Sequence, residues 1–113
     1  MMLQWRGRSL WVLEFPVAAM GRLAGCAPAD REEAEVLAAL LAGAKVYAPR
    51  EGLEYRRYRK SAPLGVYRRC VALERELREM GVIVVRNSGG QPLGYEKIRA
   101  AGGTGLPDRA PER

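Results

Sequence analysis

Histidine is absent from this chain of 113 residues, so the commonest general base near neutral pH and the commonest metal ligand are both missing. Cysteine is scarce as well. Cys26 and Cys70 lie far apart and match no metal spacing, which makes neither a zinc site nor a Cys–His nucleophile and reads as two reduced thiols. Aromatic residues make up only 7% of the chain, so a core has to come from Leu, Val and Ala. No apolar run approaches the roughly 20 residues needed to span a bilayer. The opening MMLQWRGRSLWVLEF shows no cleavage pattern after a long apolar region, so a cytoplasmic protein without signal peptide is expected.

What is present is basic. Nineteen Lys and Arg stand against thirteen Asp and Glu, a net charge of +6 that admits nucleic acid, anionic cofactors or phosphates as partners. The length suits one domain, and one this small buries only about 60–70% of its unfolded surface, so help from a partner is expected.

In chain order, Ser9 to Phe15 reads as a mostly buried strand closed by Pro16. Val17 to Ala24 reads as a short helix, broken at Gly25-Cys26-Ala27-Pro28. Asp30 is a natural N-cap with Glu33 three residues on, as in a capping box, and Glu32 and Glu35 complement the helix dipole. Ala34, Leu37, Ala38 and Leu41 repeat at helical spacing, widened by Val36 and Leu40, and Gly43 is placed to end the helix. Lys45 to Pro49 is the second strand. Pro63 suits the first position of a third helix capped by Ser61 or Ala62, with an apolar stripe of Val66, Cys70, Leu73, Leu77 and Met80. Gly81 stops it, and Val82 to Val85 is a short strand of the parallel-sheet kind. The order β-α-α-β-α-β predicts a small Rossmann-like α/β domain over residues 1–86, with a parallel sheet of about three strands, right-handed crossovers and edges that need covering. Residues 87–113, rich in Gly and Pro, read as a tail in which Tyr95 to Ala101 is the best candidate for a helical turn.

The stretch Arg50 to Lys60 carries five cationic and two acidic residues among Leu53, Tyr55 and Tyr58. At a strand's carboxyl end, where open α/β sheets bind ligands, its Arg and Tyr side chains could grip a phosphate and stack on a flat ring. An ordinary solvated loop is an equal reading, its Arg–Glu pairs worth under about 1 kcal/mol each. Arg56, Arg57, Arg59, Lys60, Arg68 and Arg69 could also neutralise phosphates of a nucleic acid, although no nucleic-acid-binding signature accompanies them. Gly102-Gly103-Thr104-Gly105 resembles a phosphate loop loosely and lacks its Lys-Ser/Thr ending. Glu14 is expected at a strand end, facing water.

Arg22-Leu23-Ala24, the Ala/Leu helix led by Asp30, the phrase LLAGAKVYAPREGLEYRRY, and then Ala62-Pro63-Leu64 and Tyr67 carry a family likeness. Together they resemble the latter half of the homo-oligomeric flavin-containing cysteine decarboxylase family of flavoproteins, in a branch associated with ethanolamine utilisation and bacterial microcompartments. The resemblance implies a Rossmann-like fold that binds FMN between protomers, commonly as a trimer. It places any ligand on Arg22, Arg50, Glu54 and Arg56. It assigns no catalytic residue: the family's flavin-contacting Ser-x-Asn-Thr falls on Pro16, Ala18 and Ala19, its catalytic Asn on Gly52, and its catalytic His in a half that this chain lacks.

Overall fold

The computed structural model describes residues 1–86; the expected tail, including Tyr95–Ala101 and Gly102–Gly105, lies outside the described residues. Four strands form one mixed sheet in the order β1 (Met2–Arg6), β2 (Ser9–Glu14), β3 (Lys45–Pro49), β4 (Val82–Val85). β2, β3 and β4 run parallel as expected, with Leu10 beside Val46 and Val46 beside Val82. The expectation of about three parallel strands is corrected by β1, which pairs antiparallel with β2 through Leu3↔Val12 and Trp5↔Leu10. Gly7, at φ +65°, supplies the first central residue of a two-residue hairpin turn, which glycine adopts without steric cost.

Between β2 and β3 lie α1 (Val17–Ala24) and α2 (Arg31–Leu41); α3 (Leu64–Met80) links β3 to β4. Leu10, Val12, Val46, Ala48, Val82 and Val84 alternate onto one face of the sheet. Met20 and Leu23 of α1, Val36 and Ala39 of α2, and Leu73 and Leu77 of α3 join them in a single core. All three helices therefore cover one face, as successive crossovers of one hand do when each strand adds to the same side. The opposite face carries Trp11 and Tyr47, their rings stacked at 4.8 Å, with the Arg6 guanidinium 4.2 Å above Trp11.

The apolar face expected for α2 is corrected. Glu33, Val36 and Ala39 are buried with Leu37 and Leu40 packed beside them, whereas Ala34 and Ala38 are exposed and Leu41 is 80% exposed. Apolar residues sit nearly all round this helix, so periodicity alone did not select the side. In α3, Cys70, Leu73 and Leu77 are buried as expected, but Val66 points outward and Glu74 takes a place on the stripe. Pro63 is itself the N-cap rather than the first helical residue, so the cap falls one residue after Ala62 and two after Ser61, and no side chain caps the helix. Gly43 and Gly81 end α2 and α3 at φ +81° and +119°.

Candidate functional site

After Pro49 the chain does not leave the sheet. It turns through a short 3-10 turn, Arg50–Gly52, and lies against the carboxyl end of β2. Phe15 N donates to Gly52 O at 2.8 Å and Glu54 N donates to Phe15 O at 3.2 Å. Gly52 makes this approach feasible, since a Cβ there would stand 2.0 Å from the Leu13 carbonyl oxygen. Where the family resemblance would place a catalytic Asn, the backbone has no room for any side chain. A second 3-10 turn, Glu54–Tyr58, carries the Tyr/Arg residues across to α3. The Arg/Tyr segment thus sits at the carboxyl rim of the parallel strands.

Each expected ligand-holding residue has a definite place. Glu54 Oε1 accepts from Val17 N at 2.9 Å, satisfying a free amide at the start of α1, where Pro16 offers no side-chain cap. Arg56 reaches Glu74 in α3, its Nη2 lying 3.1 and 3.3 Å from the two carboxylate oxygens. Arg22 donates through Nε to Glu33 Oε1 at 2.7 Å and through Nη2 to Oε2. Arg50 is exposed, and its side chain enters no ion pair among the described residues. The four are not gathered into one pocket: Arg22 is tied to α2, Glu54 to α1 and Arg56 to α3. Glu14 is exposed at the end of β2, as expected.

Two buried carboxylates that the sequence pattern did not single out as site groups organise these contacts. Glu33 is 2% exposed, accepts from Ala29 N at 2.9 Å as well as from Arg22, and has its own amide bonded to Asp30 Oδ1 at 2.8 Å. The Arg22 guanidinium, aided by the Ala29 amide, holds its carboxyl down to about 2. The same contact raises the Arg22 pKa. Glu74 is 6% exposed and accepts from the Tyr55 hydroxyl, from Arg56 and from Arg78 Nη2 at 2.9 Å, one turn further along α3. Burial and the adjacent Glu74 raise the Tyr55 hydroxyl pKa. Tyr55 in turn packs on Tyr67 with ring centroids 5.3 Å apart. The available signal for Glu74 was its position between Leu73 and Leu77 on the buried stripe.

Chemically, these pairs tie elements together rather than present free charge: Arg22–Glu33 joins α1 to α2, and Tyr55 and Arg56 with Glu74 join the Arg/Tyr segment to α3. The residues in place of the family's polar flavin contacts offer no polar side chain: Pro16 is half-buried, Ala18 is exposed and Ala19 is in the core. Among the described residues no group of His, Cys, Asp and Glu could hold a metal ion, and no helix is long and apolar enough to cross a membrane. Compared with family models, curated proteins and solved structures, the chain matches none of them.

Proposed function

We propose that the chain is a flavoprotein-like α/β module that works as an oligomeric ligand-binding or accessory protein of a microcompartment or ethanolamine-type pathway. The observation that carries this reading is the position of the Arg50–Tyr58 segment at the carboxyl rim of three parallel strands. Open sheets bind ligands at that rim, in the crevice where strand order reverses. Here the order runs β1-β2-β3-β4 without reversal, and the segment itself closes the gap between β2 and β3. A ligand at this rim needs a second wall, which a second chain can supply. The ligand class is a phosphate-bearing molecule, FMN in the first instance, with Arg50 as the cationic contact from this chain. Titration with FMN, read by flavin absorption and fluorescence, tests the reading. Saturable binding weakened by Arg50→Ala supports it; no binding at high FMN overturns the flavin assignment.

A second reading, binding of nucleic acid, is favoured by Arg57, Arg59, Lys60 and Arg68. These are exposed and belong to no ion pair among the described residues, whereas Arg69 pairs with Glu76 at 3.9 Å. Binding to a random duplex should then fall steeply with added salt. A flat, weak response at low salt rejects this reading.

A further inference from the structure

β1 is an edge strand; a bulge interrupts its pairing with β2 between Met2 and Leu3, and from Leu3 to Arg6 the register is regular. The strand contains no proline or lysine, and Met2 and Trp5 on it are 46% and 47% exposed. The opposite edge, β4, differs: it has four residues, and Val82, Val84 and Val85 are buried.

The two-residue turn fixes which backbone groups β1 has to offer. Arg6 and Ser9 form the closing pair of the hairpin, so Arg6 and Gln4 bond toward β2. By alternation, the N–H and C=O of Leu3 and Trp5 face outward. Two antiparallel copies of β1 overlap over their full length only when the dyad passes through Gln4. In that register Leu3 of one chain meets Trp5 of the other as a hydrogen-bonded pair, twice. Leu3 and Trp5 also share a side of the sheet, the helix side, because they stand opposite Val12 and Leu10. Trp5 there donates through Nε1 to Glu35 of α2 at 2.5 Å. The pairing would stack two Leu–Trp contacts on the helix side, with Gln4 against Gln4 and Met2 against Arg6 on the other. No like charges are opposed.

We infer that β1 is the docking edge for a second copy of this chain, joined by a two-fold axis at Gln4 into a continuous eight-stranded sheet. The Leu3–Trp5 pairs and the match of outward backbone groups in this register are what a second copy of the same strand supplies. This inference deepens the oligomeric reading above, and the two can fail separately.

The test uses the full chain. Light scattering during size exclusion should show a dimer. Hydrogen exchange at the Leu3 and Trp5 amides should be at least about tenfold slower at high protein concentration than after dilution, with Gln4 and Arg6 changing little. Leu3→Pro removes an outward N–H that the hairpin does not use, and a proline is tolerated at such an edge. The variant should be monomeric, with the circular dichroism of the parent. A chain that stays monomeric at all concentrations overturns the inference. So does an assembly that survives Leu3→Pro, or a parent assembly in which the Leu3 and Trp5 amides exchange as fast as after dilution. A trimer of that kind that still binds FMN would remove the β1 dimer and leave the flavin reading standing, whereas a β1 dimer indifferent to FMN would do the reverse.

Discussion

The guanidinium of Arg22 closes on the buried carboxylate of Glu33 with two parallel donors, Nε and Nη2, and thereby ties the last turn of α1 to the first turn of α2. Such a two-pronged arrangement fixes orientation as well as charge. Glu33 also satisfies the amide of Ala29, just outside the helix, so one side chain serves as ion-pair partner and cap.

Glu33→Ala removes both roles and should lower the midpoint of urea unfolding clearly more than Glu33→Gln, which keeps an acceptor for the Ala29 amide. Equal effects of the two substitutions would mean that the cap contributes nothing.

Acid should act through the same group. The Glu33 carboxyl titrates near 2 in the folded chain, below the ordinary 4.5. A depressed folded value gives stability that is present above the unfolded pKa and lost as pH falls through the folded one. Stability should therefore decline between about pH 4.5 and pH 2, and Glu33→Gln should flatten that decline. The check is denaturant unfolding at a series of pH values.

Around Glu74, a buried carboxylate accepts from one tyrosine and two arginines. Tyr55→Phe removes one donor and should cost about 1 kcal/mol, while Glu74→Leu strands the Tyr55 hydroxyl and Arg56 and should cost about 2–3 kcal/mol. Chemical denaturation of both variants, and of the double variant, measures the coupling.

Backbone shape gives two opposed predictions. Gly52→Ala would press a Cβ to within 2.0 Å of a backbone oxygen in β2 and should cost more than about 3 kcal/mol or prevent folding. Cys26, by contrast, sits at φ +57° in the left-handed turn that ends α1, where Ala27 N donates to Arg22 O at 2.8 Å and Cys26 N to Leu23 O at 3.0 Å. This is the position a glycine usually takes in such a terminus. Cys26→Gly should stabilise the chain by up to about 1 kcal/mol, read as a rise in melting temperature.

Much of the architecture was legible because local signals agreed. Val17–Ala24, Lys45–Pro49 and Val82–Val85 fall where breakers and apolar runs predict them, and Asp30 caps α2 as its spacing to Glu33 predicts. β1 escaped because MLQWR neither alternates cleanly nor forms an apolar run; its one clue was Gly7 in a two-residue gap before SLWV. The buried side of α2 was misread because small apolar residues surround it, and a glutamate rather than an alanine turns inward. At the rim, the sequence showed Arg and Tyr beside a strand end and could not show which carboxylates they meet, since Glu33 and Glu74 act through tertiary contacts. Gly52 was visible as a departure from the family pattern, but its role follows only from the approach of the chain to Leu13.

On the proposed function, a second chain completes the ligand site at the rim. Flavin fluorescence and light scattering recorded together, over a dilution series of the full chain with FMN, test this most directly. Binding that rises and falls with the assembled form, and weakens in Arg50→Ala, is the predicted result. FMN bound equally well by the monomer, or ignored by a stable assembly, would contradict it.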